Sequence, residues 1–240
     1  MKKLLQNADH ILIGGHRGCQ CEYPENSIAA MQEGIRRGAD YLEIDIQLSK
    51  DNVPVVVHDV RMEKQTKLTG YVHEFTYEEL KGVIPGLCTF REAMDWGKQN
   101  NVYFGLELKT TPWDMQAYNM HLVELMAEII HETEMRENVF VFGQDFQVLK
   151  HIKQVSPDIY IGLIVPFVPA DPVALMKEMD AIIYLSYIYN MTPKIVADLQ
   201  KAGYYVDGAI LREEKWERAA ISAKVNLFES DNPKKFSKNA

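Results

Sequence analysis

Short, nearly continuous apolar runs alternate with helical patterns along the whole chain. Eight such runs show little of the apolar–polar alternation that marks a strand with one face in water. Strands that are apolar on both faces are typical of a parallel sheet covered by helices. The predicted strands span residues 11–15, 41–46, 102–107, 139–142, 160–164, 181–185, 204–208 and 225–229.

The segments between these runs carry helix start and stop signals. Three helix starts are predicted from capping residues, at Asn26, Thr89 and Thr192. Gly38 and Gly203 follow the first and third of these helical patterns, where glycine commonly ends a helix. Eight strands alternating with helices predict an α/β fold of the (β/α)8 TIM-barrel type, with a doubly wound open sheet as the alternative.

Composition and charge are those of an ordinary globular protein. The 240 residues are 47% hydrophobic and 25% charged, which excludes wholesale disorder. A net charge of −8 argues against an electrostatic nucleic-acid binder. No apolar run reaches the roughly 18 residues of a membrane span. Three cysteines are too few and too irregular for a disulfide framework. We therefore predict one domain over residues 1–240, located in the cytoplasm, with no nucleic-acid partner and no stable membrane anchor; oligomeric state is left open.

Charged side chains occur inside or directly after the first three predicted strands. Glu43 and Asp45 lie two residues apart on the second strand, so both side chains emerge on the same side, and Glu107 with Lys109 repeats this spacing. Carboxylates that converge on one barrel mouth repel each other unless a cation lies between them. Oxygen-only ligands predict one hard divalent cation, Mg²⁺ or Ca²⁺. The alternative is a set of ion pairs at the rim, such as Glu107 with Lys109.

A hairpin is predicted directly after the second strand. The residues from Lys50 to Asn52 are typical of a turn between two β-rich runs. A turn centred between residues 51 and 52 would place His58 opposite Asp45, beside the predicted cation. The returning strand would extend the second barrel strand beyond the rim without changing the barrel count.

Two histidines and two cationic side chains complete the predicted site. His16, directly after the first strand, and His58 are suited to general acid–base catalysis near pH 7. Arg17 and Lys109 are suited to holding phosphoryl oxygens. A carboxylate-bound cation with paired histidines fits phosphodiester cleavage better than acyl or hydride transfer.

The same residues form an ordered set of motifs that resembles the glycerophosphodiester phosphodiesterase family. The resemblance covers about the first 110 residues closely. In chain order the motifs are Gly15-His16-Arg17-Gly18, Pro24-Glu25-Asn26-Ser27, the run from Gly38 to Asp45, Asp51, Val57-His58-Asp59 and Leu106-Glu107-Leu108-Lys109.

The resemblance implies a TIM barrel that hydrolyses small-molecule glycerophosphodiesters to an alcohol and glycerol 3-phosphate with a divalent cation. It implies that His16 and His58 are the acid–base pair. It also implies the metal ligands Glu43, Asp45 and Glu107, and phosphate contacts from Arg17 and Lys109. Whether water or a substrate hydroxyl is the nucleophile stays open.

The C-terminal half resembles the family less closely. A Ser-Phe pair of the family is replaced by residues 142–145, a Trp-Thr pair by residues 207–210, and the closing Thr-Asp-x-Pro motif is kept as Ser230-Asp231-Asn232-Pro233. Residues 60–101 form a reduced insertion that could cap the site. These departures leave other functions open: lysophospholipase D-like cleavage through a cyclic phosphate, a barrel that binds phosphodiesters with weakened catalysis, or proton abstraction with Lys109 as base.

Overall fold

The computed structural model describes residues 1–111, 113–210 and 212–235. Within these residues eight parallel strands form a closed barrel, because the first strand pairs with both the second and the last. The structure therefore has the predicted (β/α)8 TIM-barrel fold. The strands are β1 Leu12–Gly15, β2 Tyr41–Leu48, β3 Pro54–Val56, β4 Phe104–Leu108, β5 Val139–Gly143, β6 Tyr160–Ile164, β7 Ile183–Tyr187, β8 Tyr205–Ala209 and β9 Leu227–Ser230.

Helices surround the barrel and cover its outer face. The helices of the described residues are α1 Lys2–Asn7, α2 Ile28–Arg36, α3 Tyr77–Lys81, α4 Phe90–Asn100, α5 Gln116–Glu132, α6 Phe146–Val155, α7 Pro172–Met179, α8 Pro193–Lys201 and α9 Glu214–Ala223. Of these, α1 packs on the core inside the barrel and α3 packs against the hairpin, and the others cover the outer face. The predicted helix starts at Thr89 and Thr192 are confirmed, since each side-chain oxygen accepts a hydrogen bond from a backbone N–H of the first turn.

The predicted cap at Asn26 is wrong by one residue. Ser27 is the N-cap of α2, and its Oγ accepts a hydrogen bond of 3.1 Å from the amide of Ala30. Asn26 instead adopts a left-handed backbone conformation with φ of 61°. This conformation directs its side chain into the barrel end, where it contacts Asp45.

The hairpin after β2 is confirmed, but its predicted register is wrong by one residue. β3 runs antiparallel to β2 and pairs Ile46 with Val56, so Val57 rather than His58 lies beside Asp45. The amide of Val57 donates a hydrogen bond of 2.9 Å to the carbonyl of Asp45. The turn between the strands has Asn52 in the left-handed conformation, which makes it one residue longer than predicted.

The hydrophobic core has two layers, one between the barrel and its helices and one inside the barrel. Tyr41 fills the barrel interior beside Gly14, where an added Cβ would lie 2.5 Å from the tyrosine ring. Met62, Val72 and Leu80 form a separate cluster against the hairpin, whereas α4, later in the segment 60–101, packs into the core around the barrel. No helix of the described residues is long and apolar enough to cross a membrane.

Candidate active site

Three carboxylates meet at the carboxyl end of the barrel. Glu43 and Asp45 come from β2, and Glu107 comes from β4, where it lies directly beside Asp45 in the strand pairing. One oxygen of each lies within 4.8 Å of the other two. The two residues of β2 are each only 1% exposed. Strand parity therefore brings together the three carboxylates that the sequence predicted to converge.

Neighbouring charges stabilise the ionised forms of these carboxylates to different extents. Burial, together with the charges of Asp45 and Glu107, raises the pKa of Glu43 well above its ordinary value. Burial alone would raise the pKa of Asp45, but Lys109, His58 and Arg17 hold it below its usual value. Three carboxylates face two side-chain cations, Arg17 and Lys109.

Arg17 and Lys109 contact the carboxylates directly. Nζ of Lys109 lies 3.1 Å from Oδ1 of Asp45 and also contacts Glu107, so the rim ion pair considered as an alternative is present within the cluster. The backbone amide of Arg17 donates a hydrogen bond of 2.9 Å to Glu43, and its guanidinium donates to Glu25. Both cations are mostly buried and line the cavity described below.

His16 is held in place by a residue from the other end of the chain. Its Nδ1 donates a hydrogen bond of 2.6 Å to Oδ1 of Asp231, directly after β9. Asp231 also accepts hydrogen bonds from Gln20 and Arg212. With Nδ1 engaged, Nε2 of His16 faces Glu43 at 3.9 Å. The ring orientation is therefore fixed before any substrate enters.

His58 reaches the same cavity from the loop after β3, although it does not lie opposite Asp45. Its Nδ1 donates a hydrogen bond of 2.9 Å to Asp59. Burial lowers the pKa of His58 and, in spite of Asp231, also lowers the pKa of His16. Each imidazole therefore gives up its proton at a lower pH than an exposed histidine.

Asn26, Asp231 and Glu229 are functional candidates that the sequence analysis did not place in the site. Nδ2 of Asn26 donates a hydrogen bond of 2.8 Å to Oδ2 of Asp45, and the amide of Asp45 donates back to the asparagine oxygen. Glu229 is buried on β9 beside His16 and Glu43. A charge inside a predicted buried strand was a usable signal for Glu229, as it was for Glu43.

Replacing Asn26 with alanine is expected to lower the free energy of unfolding by about 1–3 kcal/mol, because a buried carboxylate oxygen and an amide lose their partner. Binding of a divalent cation should weaken by about 10–100-fold, since Asn26 orients Asp45. Urea unfolding and a metal titration measure the two effects. Asn100→Ala, on the exposed end of α4, is the control; equal effects in both variants would contradict the assignment.

Asp207 is a second unexpected acid inside the barrel. Its carboxylate is fully buried and accepts a hydrogen bond of 3.0 Å from the hydroxyl of Tyr41. Burial raises the pKa of Asp207 to about 7. The fold therefore binds this proton more tightly than the unfolded chain, so stability contributed by the neutral form is lost as the pH rises from about 4 to about 7.

Replacing Asp207 with asparagine is expected to reduce this loss of folding stability with rising pH. The variant should gain on the order of 3–4 kcal/mol relative to the native chain above pH 7, where ionised Asp207 is costly. Near pH 4.5, where Asp207 stays protonated in the fold, the difference between the two proteins should be much smaller. Urea unfolding at pH 4.5 and pH 8 measures the difference, and a variant less stable than the native chain at pH 8 would contradict this account.

A cavity of about 290 Å³ opens onto the cluster. One side of it is polar, formed by both histidines, both cations, Glu107 and Glu229. The other lining residues are mostly apolar, namely Phe142, Ile164, Pro166, Leu185, Tyr187, Ala209 and Ile210, with Gln144, Ser186 and Arg212 among them. A ligand with an anionic head and a less polar remainder matches this division.

The residues of the cluster fit a hard divalent cation. Oε1 of Glu43 is buried without a hydrogen-bond partner among the described residues, and Oδ1 of Asp45 has only the ion pair with Lys109. Buried carboxylate oxygens in this state favour a cation as their missing partner. The donors are all oxygens, which is the ligand set of Mg²⁺ or Ca²⁺.

The fold and the position of the site define the class of protein first: a TIM-barrel enzyme whose polar residues lie at the carboxyl ends of the strands. Solved structures support the fold. A phosphodiesterase from Oleispira antarctica in complex with the product sn-glycerol-3-phosphate superposes with a TM-score of 0.86 at 22% identity, over 93% of this chain and 94% of that one. A glycerophosphodiester phosphodiesterase from Agrobacterium tumefaciens gives 0.81 at 20% identity, over 96% and 100%.

Sequence comparison specifies the family. A glycerophosphodiester phosphodiesterase of Caldanaerobacter subterraneus subsp. tengcongensis is 28% identical over 234 residues, covering 92% of this chain and 94% of the relative. The sequence matches the Glycerophosphoryl diester phosphodiesterase family over residues 16–208, so the chain belongs to that family. The protein is a phosphodiesterase of this family.

Proposed function

We propose that the protein hydrolyses glycerophosphodiesters to an alcohol and glycerol 3-phosphate with the help of one divalent cation. The observation that carries the proposal is the meeting of an oxygen-only carboxylate cluster, two histidines and two cations at one cavity. The Oleispira relative was solved with sn-glycerol-3-phosphate, the product named here.

Arg17 and Lys109 would hold the phosphoryl group. The carboxylates beside Lys109 outweigh the effect of its burial and raise its pKa, so the ammonium stays charged at every working pH. The guanidinium of Arg17 is anchored by Glu25, which leaves it at the cavity wall in a fixed position. Together they can neutralise the charge of a bound phosphodiester.

His16 and His58 would transfer the protons. A neutral imidazole can take the proton of the attacking hydroxyl, and the other, protonated, can give one to the leaving alcohol. Asp231 stabilises the imidazolium form of His16, and Asp59 can do the same for His58. One ring can therefore accept a proton and the other can donate one in the same reaction.

Glu43, Asp45 and Glu107 would hold the cation, Mg²⁺ or Ca²⁺. When bound, such an ion polarises a phosphoryl oxygen and lowers the pKa of a hydroxyl that it contacts. The residues around it keep the three carboxylates oriented, with Asn26 fixing Asp45 and the Arg17 amide fixing Glu43.

The decisive experiment is turnover of a small diester panel. Glycerophosphocholine, glycerophosphoethanolamine and lysophosphatidylcholine are incubated with Mg²⁺, Mn²⁺ or Ca²⁺ and followed by ³¹P NMR. Release of glycerol 3-phosphate that stops when a chelator is added is the expected result. No turnover of any diester with any of these ions would overturn the proposal and favour a barrel that only binds phosphodiesters.

A second candidate, lysophospholipase D-like cleavage, is favoured by the apolar side of the cavity. Phe142, Leu185 and Ile210 offer a small polar diester few partners, and Tyr187 at the mouth is 44% exposed. The same panel separates the two activities. Preferred turnover of lysophosphatidylcholine, or a cyclic phosphate resonance, would support the second candidate over the first.

We further propose that residues 1–240 act as one barrel domain in the cytoplasm. Support comes from the closed barrel with its surrounding helices and from the free thiols of Cys19, Cys21 and Cys88.

A further inference from the structure

His16, Glu43 and Glu229 form a second group of potential metal ligands beside the first. They come from the end of β1, from β2 and from β9, and one donor atom of each lies within 4.8 Å of the other two. All three are buried, with exposures of 5%, 1% and 3%. Glu43 belongs to both groups, so the two positions are adjacent.

Two oxygens of this group have no partner. Oε1 of Glu43 and Oε1 of Glu229 are buried and accept no hydrogen bond from any described residue. Carboxylates this close cannot both carry a charge at low cost unless a cation lies between them. Arg17 contacts the other oxygen of Glu43 through its amide, which leaves Oε1 open.

His16 is oriented as a metal ligand would be. A metal-bound histidine usually donates its other ring N–H to a carboxylate. Nδ1 of His16 donates to Asp231, and Nε2 lies 3.9 Å from Oε2 of Glu43, the oxygen that also accepts from the Arg17 amide. Two donors on a tetrahedral zinc ion lie about 3.3 Å apart, whereas the donor atoms here lie within 4.8 Å of one another, so side-chain shifts of about 1–2 Å would complete the geometry.

We propose that His16, Glu43 and Glu229 form a second cation site, which takes Zn²⁺ or a similar transition-metal ion. The nitrogen donor distinguishes this site from the oxygen-only group, because imidazole suits zinc and carboxylates alone suit Mg²⁺ or Ca²⁺. Glu229 and His16 line the cavity, so an ion can enter from the barrel mouth.

An ion at this site inhibits the proposed reaction. Its bond to Nε2 of His16 occupies the lone pair that takes a proton, and its bond to Glu43 draws that carboxylate away from the oxygen-only cation. Activity therefore rises with Mg²⁺ and falls when Zn²⁺ is added, even with Mg²⁺ in excess.

Zinc binding tests the site without depending on catalysis. The full chain is stripped with chelator and dialysed against Zn²⁺ in a large excess of Mg²⁺, and bound zinc is measured by mass spectrometry. One zinc ion per chain is expected for the native protein and for Glu107→Gln. Glu229→Gln is expected to bind zinc at least 10-fold more weakly.

Matched variants exclude other zinc ligands. Glu178→Gln changes an exposed glutamate on α7 and should bind zinc as the native chain does. Cys21→Ser removes one of two neighbouring thiols, whose sulfurs lie 2.8 Å apart, and should also leave zinc binding intact. Native affinity in Glu229→Gln, or loss of zinc in Cys21→Ser, overturns the proposal.

A spectroscopic measurement on the native chain tests the site even if a variant fails to fold. In the native chain, zinc should shift the Nε2 resonance of His16 in long-range ¹H–¹⁵N spectra, and an unshifted resonance at one equivalent contradicts the site. Inhibition is then compared as the ratio of rates with and without zinc in each protein. We expect at least a 10-fold fall in the native chain and little change in Glu229→Gln. If no diester is turned over at all, the proposed function fails while the zinc stoichiometry still decides the site.

Discussion

Replacing His58 with alanine is expected to lower kcat by about 10²–10⁴-fold, the usual contribution of a positioned acid–base group. The imidazole lines the cavity within the field of Asp45, and Asp59 fixes its orientation through Nδ1. The substitution removes the proton carrier but none of the three carboxylates. Binding of the divalent cation should therefore stay within a few-fold of the native value, which calorimetric titration measures beside the rate.

His121→Ala is the matched control for this variant. His121 lies on the outer helix α5 with 43% of its side chain exposed. The kcat of the His121→Ala variant should therefore equal that of the native chain. A near-native rate in His58→Ala would contradict the paired-histidine proposal. It would favour the alternative in which Lys109 acts as the base.

The pH profile gives a second measurement of the same assignment. Burial lowers the pKa of both His16 and His58, so each loses its proton at a lower pH than an exposed histidine. The acidic limb of kcat/KM should therefore lie below pH 6.5. In His58→Ala one of the two limbs should disappear, whereas a purely structural role would lower the rate without changing the shape of the profile.

The fold and three of the carboxylates were predictable because they depend on local pattern. Apolar runs mark strands that are buried on both faces, and all eight predicted barrel strands are present within two residues of their predicted bounds. A spacing of two residues fixes the side on which Glu43 and Asp45 emerge, whatever the barrel geometry. Pairing of adjacent strands then brings Glu107 beside Asp45.

The hairpin register could not be predicted because it depends on the turn conformation. Ser49 pairs with Val53 through a backbone hydrogen bond of 3.0 Å, which leaves three residues in the loop rather than two. Asn52 takes the left-handed position that such a loop requires. One residue of difference moved His58 from the position opposite Asp45 into the following loop, where it still reaches the cavity.

Contacts between site residues far apart in the sequence could not be predicted for another reason. Asp231 follows His16 by 215 residues, and only closure of the barrel between β9 and β1 brings the two together. Asp207 and Glu229 were different, because a charge within a predicted buried strand was visible in the sequence. The rule that singled out Glu43 applied to both of them, and the family resemblance drew attention to the N-terminal half instead.

Replacing Glu43 with glutamine is expected to have opposite effects on activity and on the stability of the metal-free protein. Activity should fall by about 10³-fold, because the cation contributes several kcal/mol through a ligand set that includes Glu43. Glutamine keeps the shape and can still accept the hydrogen bond from the Arg17 amide. It removes a buried charge that Asp45 and Glu107 disfavour.

The sign of the stability change follows from the pKa. Since the pKa of Glu43 is raised in the fold, the folded chain holds this proton more tightly than the unfolded chain. The contribution of Glu43 to the stability of the metal-free native protein is therefore lost progressively as the pH rises above about 4.5, the ordinary glutamate value. Glu43→Gln should show a smaller loss over the same range and unfold at a higher urea concentration at pH 8.

Adding Mg²⁺ should make the native chain more stable than Glu43→Gln, which reverses the order of stability found without metal. A ligand that binds only the folded state raises its stability, so the native chain should gain with increasing Mg²⁺ while Glu43→Gln gains little. Glu178→Gln, an exposed change of the same chemistry, should behave as the native chain in both conditions. A metal-free Glu43→Gln variant less stable than the native chain at pH 8, together with an undiminished gain from Mg²⁺, would mean that Glu43 is an ion-paired structural residue and not a ligand.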